Sequence, residues 1–330
     1  MLQHIHTVAH VAEQIAAGKT LLLAGEETLL SQLPQGNWIG GTSPYINLSG
    51  QAGLTSRDKI FVNDISAIAK EIQITTYSKD TLANVYADTE GNGFHFIIIP
   101  GGSVTHTSFA LNGPNYTNFA SKPLVGWISG VHPDMLSLQK PKVFHGQTKQ
   151  IFDQDAVVMH VSLIPGKTVD AGIINIFEQG DGDILTFPTN GFVCSDVVVN
   201  GVTENFAHYI ERTGLDLRLP LVADYYGAMI NISFQHVDME QGLVSLYAPV
   251  FTGVRYKYAK RITDYVAAFT ERIHNTGLSS KHMVFSCNCV LNYLELESKN
   301  AVPFIGPITF GEIAYQLLNQ TMVYLTIHDA

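Results

Sequence analysis

The stretch Thr7-Val8-Ala9-His10-Val11-Ala12-Glu13-Gln14-Ile15-Ala16-Ala17-Gly18 leads into Thr20-Leu21-Leu22-Leu23-Ala24, and residues 26–33 follow before Pro34. Thr7 is a hydroxyl N-cap, Val8, Val11, Ala12 and Ile15 recur at helical spacing, and Gly18 supplies a stop. The apolar run after it reads as a short strand. The run 26–33 reads as a second helix ended by the proline. Helix, strand and helix in succession predict helices laid on a sheet.

Working outward, strand-like runs recur at 60–62, 94–99, 156–164 and 172–177, and helices are expected near 65–72, 204–213, 261–275 and 311–318. Three segments resemble one another: Trp38-Ile39-Gly40-Gly41-Thr42, Leu124-Val125-Gly126-Trp127-Ile128-Ser129-Gly130 and Phe304-Ile305-Gly306-Pro307-Ile308-Thr309. Each sets an apolar pair before a glycine and a hydroxyl residue shortly after it, the pattern of a strand that another backbone or a ligand approaches closely. The expected fold is α/β, two domains of mixed β-sheet covered by helices, with matches that would suit a duplicated unit. Gly180-Asp181-Gly182-Asp183 and Pro188-Thr189-Asn190-Gly191 combine turn residues with a loss of apolar pattern, which sets the expected division at 1–190 and 191–330.

The 330 residues contain 46% hydrophobic and 15% charged side chains, enough to bury a core and exclude global disorder. Nineteen basic against 29 acidic side chains leave a net charge of −10, and no basic run offsets it. That balance argues against nucleic acid and anionic membrane surfaces as partners. Cys194, Cys287 and Cys289 are too few for a disulfide framework and point to a reducing, cytoplasmic location. The N-terminus lacks a cationic segment followed by an apolar one, and no apolar run approaches a membrane span.

The second half carries the most specific text: Ala223-Asp224-Tyr225-Tyr226-Gly227-Ala228, Gly242-Leu243-Val244-Ser245-Leu246-Tyr247, Phe285-Ser286-Cys287, Phe304-Ile305-Gly306, Gly311-Glu312-Ile313 and Asn319-Gln320-Thr321. This order resembles the FIST family of sensory domains, over residues 190–330 and more thinly through Gly40-Gly41-Thr42 and Gly126. The resemblance implies an N-like and a C-like α/β domain, a small-molecule ligand and a signalling partner protein, and some relatives carry haem. Asn288-Cys289-Val290-Leu291 stands where that family often has an arginine, so ligand identity does not carry over.

Cys287 and Cys289 form a C-x-C pair after an apolar strand, open to two readings: buried structural thiols, or a nucleophilic or redox Cys287. His4, His6 and His10 could meet a metal only if helical register extended ahead of Thr7, and a frayed end is the plainer reading. Gly18-Lys19-Thr20 and Gly166-Lys167-Thr168 lack the earlier glycine of a phosphate-binding loop, with Glu13 and Val161 at that position. Glu312 would either complement the positive end of a predicted helix or meet Thr309, Arg255 and Ser286 in a pocket, where Arg255 suits a ligand carboxylate. The candidate ligand-binding set is Thr42, Arg255, Ser286, Cys287, Thr309 and Glu312. The expected function is a non-catalytic, small-molecule-binding sensory or signal-transduction protein. The alternatives are a Cys287-dependent enzyme or redox protein and a haem-based gas sensor. No cofactor is assigned.

Overall fold

The computed structural model describes residues 4–47, 54–87, 91–225, 227–278, 282–297 and 305–330; Phe304, which opens the third glycine segment, lies outside them. The first expectations hold locally. Helix α1 (Val8–Ala16) starts at Thr7, whose side chain accepts from the His10 N–H, and Gly18 follows in the left-handed region at φ 77°. A strand (Leu21–Gly25) and a short helix α2 (Glu27–Leu30) come next. Further helices are α3 (Val104–Asn112), α4 (Phe206–Thr213), α5 (Tyr265–Asn275) and α6 (Val290–Glu297).

The α/β expectation is wrong. Strand makes up 43% and helix 19% of the structure, in five mixed or antiparallel sheets, so helices do not cover the sheets. Two predicted helices account for part of the error. Residues 65–68 form a turn, and the chain then runs as a nine-residue strand (Ala69–Tyr77) paired antiparallel to Ala156–Leu163. Residues 312–318 form a hairpin of Glu312–Ala314 and Gln316–Leu318 that reverses at Tyr315, at φ 64°. Nearly every side chain in that hairpin is buried, and a run apolar on all sides has no period that separates helix from strand.

The second sheet has the order Gln316–Leu318, Glu312–Ala314, Leu124–Ser129, Gly93–Pro100, Ala156–Leu163, Ala69–Tyr77. The third has Lys167–Ile174, Met322–Asp329, Met283–Cys289, Gly306–Thr309, Tyr45–Asn47, Leu54–Thr55. Strands from beyond residue 190 therefore pair with strands from before it in both sheets. Register places Phe96, Ile98, Trp127 and Glu312 on one face of the second sheet. That face packs on the first sheet, where a Cβ at Gly41 would lie 2.6 Å from Ile98 and 3.0 Å from Trp127 Nε1. It also packs on the third, where Phe285 stacks on Trp127 with centroids 5.9 Å apart.

Only three strand pairs among the described residues are parallel, and each belongs to a strand–helix–strand unit. The units are Leu21–Gly25, α2, Trp38–Thr42; Gly93–Pro100, α3, Leu124–Ser129; and Met283–Cys289, α6, Gly306–Thr309. The three look-alike segments of the sequence are the second strands of these units. Parallel neighbours require a crossover, and the glycines let the backbones come together. A Cβ at Gly126 would sit 1.7 Å from the Ile97 carbonyl oxygen, and one at Gly306 would sit 2.0 Å from that of Ser286.

Candidate ligand site at the parallel strand ends

The carboxyl ends of the three second strands meet. Gly130 N–H donates to the Thr42 carbonyl at 2.9 Å, Phe310 N–H to the Ile128 carbonyl at 3.3 Å, and Ser43 Oγ to the Ile308 carbonyl at 2.7 Å. Gly130 has no room for a side chain, since a Cβ there would lie 1.9 Å from the Phe310 ring. In open α/β sheets ligands favour the crevice outside the carboxyl ends of the parallel strands, and the three strand–helix–strand units are the parts of this β-rich fold that share that local arrangement.

The residues just past these ends are chemically rich. Tyr45 is surrounded by His132, Tyr293 and Phe310, with ring centroids at 5.7, 6.1 and 6.2 Å. Glu26 directly follows the first strand of the first unit and is the N-cap residue of α2, yet its side chain does not cap the helix. Its carboxyl is half-buried, and burial raises its pKa against the opposing pull of Arg57 and His132. Ser129, the last strand residue of the second unit, is fully buried and its Oγ has no hydrogen-bond partner. Trp127 Nε1, two residues earlier on the same face, is likewise without one.

Behind this surface lies a sealed polar cluster. Glu312 is 0% exposed; Thr309 Oγ1 donates to one carboxyl oxygen at 3.1 Å, and Thr321 donates to the other from Oγ1 at 3.0 Å and N–H at 3.3 Å. The Cys289 thiol also hydrogen-bonds this carboxyl. Burial pushes the Glu312 pKa up to about 8, because a charge there loses its water, and the donors only partly offset that loss. Burial, reinforced by Glu312, also drives the Cys287 and Cys289 thiols well above the ordinary thiol range. All three cysteines are free. A nucleophilic thiol requires the opposite environment, exposed and electropositive.

The expected site residues therefore separate. Thr309, Cys287 and Glu312 come together, with Cys287 Sγ donating to the Gly126 carbonyl at 3.6 Å. Ser286 alternates to the other face of its strand and donates to the Ile305 carbonyl at 2.9 Å. Thr42 lies at the strand-end junction, but its Oγ1 accepts from the Lys142 N–H at 3.0 Å. Arg255 is exposed, just ahead of the strand Tyr256–Tyr258. Glu26, Tyr45, Ser129, His132, Tyr293 and Phe310 were not foreseen. The signals for them were a glutamate at an N-cap position, where Ser, Thr, Asp and Asn are preferred, and, for all but Tyr293, which lies within α6, a place at or near a strand end.

Elsewhere His95 and His160 pair across strands in the core. Their Nδ1 atoms are 2.8 Å apart, and His160 Nε2 is 2.9 Å from the Tyr77 hydroxyl. Among the described residues no group of three or more His, Cys, Asp or Glu side chains is arranged to hold a metal ion. Among them also, no helix is long and apolar enough to cross a membrane.

Fold and site together define a β-rich protein of stacked sheets in which three strand–helix–strand units direct their strand ends to one polar and aromatic cluster. The chain belongs to the family of unknown function DUF6976, which matches residues 6–328. That membership overturns the FIST resemblance, since no FIST match accompanies it. The segments behind that resemblance are short, and glycine between apolar residues is required wherever strand backbones pack this closely. A comparison with curated proteins finds no match.

Proposed function

We propose that this protein binds a small molecule at the strand-end cluster and performs no covalent chemistry on it. The observation that carries the reading is the convergence of three separate strand ends, Thr42–Ser43, Ser129–Gly130 and Thr309–Phe310, on one place beside the packed rings of Tyr45, His132, Tyr293 and Phe310. Aromatic faces with a few polar groups among them are the usual makeup of a ligand site. The thiols that could act as nucleophiles are sealed and held protonated, which favours binding over catalysis. A sensory role follows if occupancy of the cluster is read by a partner protein, and three free cysteines suit a cytoplasmic location.

Thermal-shift screening against amino acids, small anions and small cations, followed by calorimetry on any hit, tests the proposal. The expected result is a saturable stabilisation that Tyr45→Ala abolishes while the far-ultraviolet spectrum is unchanged. Silence across a broad library, or a hit indifferent to Tyr45→Ala, would overturn it.

A further inference from the structure

A cleft of about 710 Å³ lies where the end of α4, the strand Tyr256–Tyr258, the start of α5 and α6 come together. That size suits a small organic molecule. Glu295 lines it from α6, whereas Tyr293 two residues earlier packs in the strand-end cluster, so the two places are distinct. Four charged side chains border the cleft. Asp216 accepts from Arg218 Nε at 2.9 Å and Nη2 at 2.7 Å, so this pair neutralises itself and fixes the guanidinium with its Nη1 end open. Arg261 and Glu295 border the same space, and among the described residues neither forms an ion pair or a hydrogen bond. One positive and one negative charge are therefore left unmatched there. Tyr258 Oη donates to the Asp216 carbonyl at 2.7 Å and Tyr265 Oη donates to Asn292 Oδ1, so both hydroxyls offer a ligand only lone pairs. Leu215, Leu219 and Ile262 add half-buried aliphatic surface.

We infer that this cleft is a second ligand site, which takes an aliphatic α-amino acid by both of its charged ends. The carboxylate lies against Arg261 and the open end of Arg218, since a guanidinium presents paired N–H donors that match two carboxylate oxygens. The ammonium lies toward Glu295 and the tyrosine oxygens, which accept its three N–H groups. The side chain covers the three aliphatic residues. An anion without an ammonium would leave Glu295 unmatched and close to a like charge. A cation without a carboxylate would do the same to Arg261. A zwitterion answers both charges and leaves the net charge of the cleft unchanged. Arg261 is exposed and Glu295 half-buried, so water weakens each contact and the selectivity expected from either is modest.

The test titrates leucine calorimetrically into the full chain at low salt, beside two molecules that each lack one of its charges. These are 4-methylpentanoate, without the ammonium, and 3-methylbutylamine, without the carboxylate. Leucine is expected to bind about tenfold more tightly than either. Arg261→Gln should lower leucine to the affinity of the amine and leave the amine unchanged. Glu295→Gln should lower leucine to the affinity of the acid. Equal affinity for leucine and either single-charge molecule, or no leucine binding at tens of millimolar, overturns the inference. These comparisons are made in the unmodified protein, so a variant that fails to fold leaves the test intact. Tyr45→Ala should bind leucine as the natural chain does. Leucine binding that Tyr45→Ala removes and Arg261→Gln spares also overturns the inference, and it supports the strand-end proposal instead. Leucine binding with the expected selectivity in a chain whose strand-end cluster binds nothing upholds the inference and refutes that proposal.

Discussion

Replacing Glu312 by Gln should flatten the dependence of stability on pH. Glu312 is fully buried, with its carboxyl pKa pushed from an ordinary 4.5 to about 8. The folded state therefore holds a proton that the unfolded chain releases between those values. The contribution of this group is fully present below pH 4.5 and is lost progressively as pH rises to about 8, where the folded carboxyl finally ionises. Taking one pKa unit as about 1.4 kcal/mol, the loss between pH 5 and pH 8 is about 3 kcal/mol. Glutamine imitates the protonated carboxyl in shape, and the Thr309 and Thr321 hydroxyls can turn to accept from its amide. One extra N–H must still find an acceptor, so the variant starts about 1–3 kcal/mol behind at pH 5. It should then draw level with or overtake the natural chain near pH 8. Urea denaturation of both proteins at pH 5 and pH 8 measures this, and other titrating groups cancel in the difference of differences. A pH-dependent difference below about 1 kcal/mol would refute a neutral Glu312 in the folded state.

Cys287 and Cys289 should react with iodoacetamide at neutral pH only as fast as the protein opens, so stabilising solutes should slow labelling; a rapid phase in the native protein would contradict their burial. Gly126→Ala places a methyl group 1.7 Å from the Ile97 carbonyl oxygen, and loss of soluble folded protein or a destabilisation of about 3 kcal/mol or more is expected in thermal melts. His95 is held neutral by burial, its pKa driven down to about 3 with His160 adding to the effect. Its contribution is present above pH 6.5 and lost as pH falls toward 3, so His95→Phe should lessen the acid sensitivity of unfolding in that window, read by circular dichroism.

Much of the local structure was legible in the residue order. Thr7, the apolar spacing of Val8 to Ile15 and Gly18 define α1, because a cap, a stripe and a stop act within a few residues of one another. The likeness of the segments around Gly40, Gly126 and Gly306 was also visible, though not its meaning, which needs the partner strands at Leu21–Gly25, Gly93–Pro100 and Met283–Cys289. The hairpin at Glu312–Leu318 reads as a helix in the sequence because burial of all but Tyr315 and Gln316 leaves no clear two-residue alternation. What buries it is contact with Leu124–Ser129, far away in the chain.

The amino-acid order alone determined that this chain is rich in apolar strand-forming runs, acidic overall and without a complete phosphate-binding loop at either Gly-Lys-Thr triplet, since those properties sum over residues or depend on near neighbours. Only the tertiary structure decided that Glu312 is sealed from water, that Arg255 stands apart, and that Tyr45 meets His132, Tyr293 and Phe310. Proton affinity is set by how much water surrounds a group, and proximity by which strand ends a sheet brings together. Neither is encoded in spacing along the backbone.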